Sequence, residues 1–145
     1  MFGWFKKKDP FQINDSRAGD VAKDAATLLY MPLMMCKSYD NFHERLQDPE
    51  VRGYMVGFFD AASQATQLQL PDDSQFITFI ALCHRILLEG LVTDPGSYAL
   101  DSAMLQGTPA FERGQKLGGS EYFEFIRSRR PQMGLGRLIG QHDQE

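Results

Sequence analysis

The sequence is poor in the residues that most often announce chemistry: 145 residues hold two cysteines, three histidines and one tryptophan. Cys36 and Cys83 build no disulfide framework. No C-x-x-C, H-x-x-x-H or E-x-x-H spacing occurs, so the local signatures of a zinc site are missing. Neither phosphate-loop pattern, G-x-x-x-x-G-K-[ST] or G-x-G-x-x-G, is present. No cofactor and no metal is therefore expected. Positive charge is also scarce, 15 basic against 19 acidic residues for a net charge of −4, and a chain without a positive field is not expected to hold a nucleic-acid backbone. Long apolar runs are absent too. The longest, Ala25 to Cys36, is interrupted by Thr27 and Pro32 and falls short of the ~20 residues a spanning helix needs. The first residues place aromatics before lysines, the reverse of a secretory signal, so the cytoplasm is the expected location. No internal repeat or heptad array is visible.

What remains is a globular composition, 43% hydrophobic, with 11 phenylalanines and 7 methionines. Residues 1–14 read as a flexible arm, residues 15–130 as a helical domain and residues 131–145 as a mobile tail rich in glycine and glutamine. A first helix is predicted from about Asp15 or Ser16 through Val21, Ala25, Leu28 and Leu29, positions that recur at helical spacing. Pro32 should end or kink it. Asp48-Pro49-Glu50 offers a capping carboxylate, a proline at the first helical position and an acid in the first turn. Pro71-Asp72-Asp73 and Asp94-Pro95 announce two further starts. The helix after Asp73 carries apolar residues around most of its circumference, and Phe76, Ile80, Cys83 and Leu87 are expected at the centre of the core. Gly118-Gly119 reads as a joint, and Ser120 to Arg130 fits a helix or a strand equally well. The expected fold class is all-α, a compact bundle of five or six helices.

Catalytic constellations are not apparent. Cys83 and His84 are neighbours, and neighbours on a helix point about 100° apart, so they cannot act as a nucleophile–base pair. His84 is placed at the margin of the buried face. His43-Glu44 meets the same objection. The balance leans away from an enzyme.

Three interaction features stand out. Phe2, Trp4 and Phe5 followed by Lys6, Lys7 and Lys8 suit weak contact with an anionic membrane surface, which would put the protein at the inner face of a membrane. Met31, Met34 and Met35 surround Pro32 and read as core filler rather than as an adaptable surface. The C-terminal block joins Tyr122 and Phe125 to Arg127, Arg129 and Arg130, then to Met133, Leu135, Leu138 and Ile139, and reads equally as a candidate surface for a protein partner or as side chains packed against the body. A fourth feature is structural. Gly53, Gly57, Ala61 and Ala65 recur every four residues and draw a smooth stripe along one helix face. Two interior glycines cost a helix about 1 kcal/mol each, so a second helix is expected to approach closely there. That helix lies within the monomer or across the two-fold axis of a homodimer, and the first arrangement is favoured. The function these features suggest is a small non-enzymatic helical interaction module: an adaptor, a chaperone-like factor or a regulator. A ligand-binding protein or enzyme with an apolar pocket between helices, and a peripheral membrane protein attached by the arm, are the alternatives.

Overall fold

A computed structural model describes residues 12–140. Over that span the chain is all-helical: α1 (Ala18–Met35), α2 (Phe42–Arg45), α3 (Pro49–Ala65), α4 (Asp73–Leu88), α5 (Pro95–Ala103), α6 (Pro109–Ser128) and α7 (Gly134–Gly140). Among the described residues there is no strand, only one isolated bridge between Glu89 and Val92. The count exceeds the five or six expected because α2 is a single turn and α7 lies in the segment read as tail.

Three helix starts follow from local chemistry. The carboxylates of Asp48, Asp72 and Asp94 accept hydrogen bonds from the backbone N–H groups of Glu50, Gln75 and Ser97, and so satisfy donors that the first turn leaves unpaired. Proline follows Asp48 and Asp94 at the first helical position, where its missing N–H costs nothing. At the other end, α4 and α5 are followed by turns in which Gly90 and Gly107 adopt positive φ, 79° and 96°. Pro32 does not end α1. The helix runs through it to Met35 and stops one turn later, so the proline removes one hydrogen bond close to an end that frays in any case.

The central helix is α3. Every residue from Val51 to Phe59 is buried, because α1, α4, α5, α6 and α7 all pack around it. Its most extensive partner is α6, and the smooth stripe explains the fit. A Cβ built on Gly53 would stand 2.0 Å from the Phe111 carbonyl oxygen, and one on Gly57 would stand 2.0 Å from that of Gln115. The relation is reciprocal: Gly114 meets the Glu50 carbonyl at 1.9 Å and Gly118 meets that of Tyr54 at 2.0 Å. Two G-x-x-x-G faces therefore lie backbone on backbone, within one chain. The pairs advance together along both helices, so α3 and α6 run parallel. Ala61 is buried, but Ala65 is exposed at the end of the stripe.

This contact corrects the reading of Gly118-Gly119 as a joint, and it settles Ser120 to Arg130 as helix through Ser128. Residues 109–128 form one uninterrupted helix. Arg129 then takes a left-handed conformation, φ 60°, and Pro131 follows, which together stop the helix.

The expected core centre on α4 holds for Ile80, Cys83 and Leu87, while Phe76 is only partly buried and Phe79 takes the interior position. His84 is fully buried, not marginal. The buried arc of α4 is wide enough to enclose adjacent residues, since Phe79 and Ile80, Cys83 and His84, and Leu87 and Leu88 all lie inside.

A second correction concerns the segment after residue 130. Leu135, Leu138 and Ile139 are buried in the same core cluster as the other helices, so the helical body continues to Gly140. Glu121 seats the start of α7: one carboxylate oxygen accepts from the Gly134 N–H at 2.9 Å and from the Tyr54 hydroxyl. Arg45 donates to the Leu138 carbonyl at 3.1 Å and pairs with Asp48 at 3.0 Å. At the opposite boundary, Ile13 packs against the core and the Asn14 N–H bonds the Gln75 side chain, so residues 13 and 14 belong to the body rather than to an arm.

Two predictions follow from this packing. Gly57→Leu should lower the urea midpoint, costing on the order of 1–3 kcal/mol or more from overpacking despite its better helix propensity. Gly19→Ala, with nothing within 4 Å of the added carbon, should instead be neutral or stabilising by up to ~1 kcal/mol. Equal shifts in the two variants would deny the close crossing. Separately, Leu135→Ala should cost about 2–5 kcal/mol, the range for a cavity in a packed interior. A melting temperature unchanged by that substitution would mean that α7 does not belong to the cooperative unit.

Candidate interaction surface

Polar side chains converge at one place in the interior, where α3, α4 and α5 meet. Arg52 is almost buried, and its guanidinium is shared among neutral acceptors: the Tyr98 carbonyl at 2.9 Å, Ser102 Oγ at 2.8 Å, Gln47 Oε1 at 2.5 Å and the Gln47 carbonyl at 3.3 Å. The same group lies 3.9 Å above the centre of the Tyr98 ring, a favourable arrangement for a cation removed from water. The Tyr98 hydroxyl donates to the Leu46 carbonyl. His84 completes the cluster, 5.3 Å from the Phe59 ring and 5.8 Å from that of Tyr98. Its Nδ1 lies 2.8 Å from the Ile80 carbonyl, and its Nε2 is buried with no hydrogen-bond partner.

These groups are spent on one another and on the backbone. Arg52 ties α3 to α5 and to the residue before the Asp48 cap, so the cluster clamps three segments together. Cys83 is fully buried, and burial pushes its thiol well above the ordinary range, the opposite of an activated nucleophile. Burial likewise raises the Tyr54 and Tyr98 hydroxyls. Among the described residues no three histidines, cysteines or carboxylates are grouped as a metal site would need.

The candidate partner surface at the C-terminal end is divided by the structure. Tyr122 is buried, its ring 5.1 Å from that of Phe58, and Leu135, Leu138 and Ile139 are interior as described above. These four side chains belong to the core. Their spacing had a simpler meaning: positions 135, 138 and 139 are the buried face of a short amphipathic helix. Arg127 and Arg130 remain exposed and both pair with Glu124. The Arg129 guanidinium lies 5.2 Å from the centre of the Phe125 ring, and Met133 is exposed. Sequence spacing missed two residues here. Phe123 and Ile126 are 45% and 47% exposed, and on a helix residues three apart share a face. The glycine contact uses the other side of α6, which turns them outward.

The methionines require a further correction. Met31 and Met35 are 61% and 72% exposed, and Tyr30 is 51% exposed, with Met34 half-buried beside them. The buried stripe of α1 consists of Ala18, Ala22, Ala25, Ala26, Leu29 and Leu33, so the methionines lie on the outer face. Next to Tyr30, a shallow hollow of 170 Å³ opens between Ala26 and Thr27 on one side and Ile86 and Leu87 on the other. Two of the larger clefts, both open to solvent, border residues named above. One of 730 Å³ lies between the start of α1 and α4, lined by Ile13, Ile77, Leu82 and Leu100 with Asp15 and Arg85 at its edges. The Asp15 carboxylate is already committed to the Arg17 side chain, its backbone N–H and the Gln69 N–H, which hold it well below the usual carboxylate range. The other cleft, 610 Å³, follows the α3–α6 seam past Asp60, Gln64, Glu112 and Lys116 to Phe123. Phe2, Trp4, Phe5 and Lys6 to Lys8 lie outside the described residues.

Among the described residues, no helix is long and apolar enough to cross a membrane. No family model, no curated protein and no solved structure matches this chain.

His84 makes a prediction about acid stability. Burial, partly offset by the Ile80 carbonyl and reinforced by the Arg52 charge, lowers its pKa from 6.5 to about 4. Above pH 6.5 both folded and unfolded chains hold it neutral. As pH falls from 6.5 toward 4 the unfolded chain takes up a proton that the folded chain refuses, and about 3 kcal/mol of stability is lost across that window. His84→Leu removes both the titration and the unpartnered Nε2, and its stability should be nearly flat between those pH values. Urea midpoints that decline as steeply in the variant as in the parent would refute this role.

Proposed function

We propose that the chain is a non-enzymatic cytoplasmic helical module that binds another protein through the outer face of α1. The observation that carries this reading is the exposure of Tyr30, Met31 and Met35 together on the last turns of one helix, beside the hollow at Ile86. Tyrosine and methionine are enriched where proteins meet. Unbranched thioethers adapt to the surface that covers them. The hollow at Tyr30 has the dimensions of a seat for one apolar side chain of the partner. The earlier turns of the same outer face are charged and polar, with Asp20, Lys23, Asp24 and Thr27 all exposed, and would form the rim around an apolar centre.

The supporting physics concerns recognition rather than reaction. The polar cluster around Arg52 is internally satisfied except at the His84 Nε2, and the rings that pack on the imidazole leave a substrate nowhere to stand. Immobilised full-length protein and its Met31→Ser/Met35→Ser variant should capture different sets from an extract of the native cell, read by quantitative mass spectrometry. A specific partner should be depleted at least tenfold with the variant, since central contacts are worth ~2 kcal/mol or more each. The melting temperature should barely change, because both side chains face solvent. Identical capture by the two proteins would reject the α1 face.

A further inference from the structure

Three helices leave a space between them that the core does not fill. The cleft of 730 Å³ is walled by the start of α1, by one side of α4 and by α5, and Ile13, Ile77, Ala81, Leu82 and Leu100 line it. That volume lies within the range of small-molecule sites, which are mostly apolar with a few placed polar groups. We infer that the cleft binds a small amphipathic carboxylate, a free fatty acid of medium chain length, with its hydrocarbon along the apolar wall and its carboxylate at Arg85. This cleft and the hollow beside Tyr30 share no lining residue, so the two surfaces are independent of one another.

The charges around the cleft select the sign of the ligand. The Asp15 carboxylate is spent on the Arg17 side chain and on the N–H groups of Arg17 and Gln69. The Thr78 hydroxyl donates to the Ser74 carbonyl at 2.7 Å. Arg85 is exposed, and the ion pairs among the described residues do not include it. Two acidic residues stand near it. Glu89 borders the adjoining hollow with Arg85. Asp94, which feels the Arg85 charge, gives one oxygen to the Ser97 N–H and the other to the Ser97 hydroxyl. The guanidinium at the edge of the apolar wall is therefore left as the group that a carboxylate can answer, in the planar geometry that suits it. The walls are mostly helical, with backbone groups engaged in their own hydrogen bonds. An extended peptide would find few main-chain partners there, whereas a hydrocarbon chain needs none.

The glycines of the cleft support the same reading. Gly53, Gly57, Gly114 and Gly118 are required by the helix crossing, and Gly90 and Gly107 by their positive φ. Neither reason applies to Gly19 and Gly96, which both line the cleft. A Cβ on Gly19 would meet nothing within 4 Å, and one on Gly96 would meet only Asp94 Oδ1 at 3.4 Å. What glycine supplies at both positions is a missing side chain at the wall, which keeps the space open.

Isotope-labelled full-length protein is titrated with dodecanoate below its critical micelle concentration, and amide shifts are followed by two-dimensional NMR. Saturable one-to-one binding is expected, with the largest shifts at residues 16–19 and 74–85. Arg85→Gln should weaken it about fivefold, the upper range for an exposed ion pair, and dodecylamine, with the opposite charge, should bind on the order of tenfold more weakly. Each methylene displaced from an apolar wall costs about fourfold. Gly19→Leu and Ala81→Leu, which place a side chain in the space, should thus weaken binding roughly tenfold or more while keeping the parent's circular dichroism. If Ala81→Leu fails to fold, Gly19→Leu alone decides. Four results would each overturn the inference: no saturable binding, shifts centred on another surface, dodecylamine bound within twofold of dodecanoate, or a folded Gly19→Leu protein that binds dodecanoate within twofold of the parent.

Discussion

Four carbonyl oxygens occupy the places where side chains would begin on Gly53, Gly57, Gly114 and Gly118, and most of the architecture depends on that contact. Glycine inside a helix costs about 1 kcal/mol relative to alanine, so four of them are a considerable local penalty. The return comes from proximity. Backbones that close bring Cα–H groups against carbonyl oxygens, and they gain dispersion contacts along two full turns of both helices. Such pairs are best known between membrane helices, yet this one lies in a chain where none of the described helices could span a bilayer. The contact also fixes polarity. Since α3 and α6 run parallel, the chain between them must return across the bundle, and α4 and α5 make that return. Both long helices then end on the same side.

Around that pair the interior is closed by polar groups as much as by apolar ones. Arg52 reaches α5 and the turn before its own helix, and Glu121 joins Tyr54 to the first residue of α7. Removing water from a guanidinium is costly unless every N–H finds an acceptor, and here the acceptors are carbonyls, an amide and a hydroxyl. Such a cluster tolerates few alternative arrangements, which makes it a means of specifying register between helices rather than a reservoir of stability. The orphaned His84 nitrogen is the one unsatisfied atom of that cluster, and it couples the clamp to pH.

The sequence was informative where the determining interactions are local. Asp48, Asp72 and Asp94 announce helices because each carboxylate bonds an N–H two or three residues away, and no tertiary knowledge is needed to see it. The stripe on α3 was legible for a similar reason, as periodicity within one segment. Its counterpart was not. The buried face of α6 is Phe111, Gly114, Gly118 and Tyr122, correctly spaced for a helix, but glycine carries no hydrophobicity and so produced a break signal where the helix is most tightly packed. The residues after Pro131 read as a mobile tail, yet from Gly134 to Gly140 they are helical. Leu135, Leu138 and Ile139 stood open between a docking tail and packing on the body because no long helix holds them, and a seven-residue helix seated by Glu121 and Arg45 buries all three. Met31 and Met35 mark the limit of composition-based reasoning, since whether a methionine faces inward depends on which arc of α1 the other helices claim.

That last dependence connects the fold to the surfaces. Alanines dominate the inner arc of α1, so the helix lies close to its neighbours and its larger side chains are displaced outward. On α6 the same logic operates with glycine: the side that approaches α3 has almost no side chains, and Phe123 and Ile126 are carried on the face left to solvent. In both helices the small residues that permit tight packing are matched by large apolar residues on the outside, in places where a monomer gains nothing from them. A sequence selected for the fold alone would fill those outer positions with charge, as the first turns of α1 do with Asp20, Lys23 and Asp24. Large apolar side chains are exposed on the last turns of α1 and of α6, and also at Ile86 on α4 and at Leu100 and Met104 on and after α5, and the antiparallel course of α1 relative to α6 sets the first two groups toward opposite ends of the bundle.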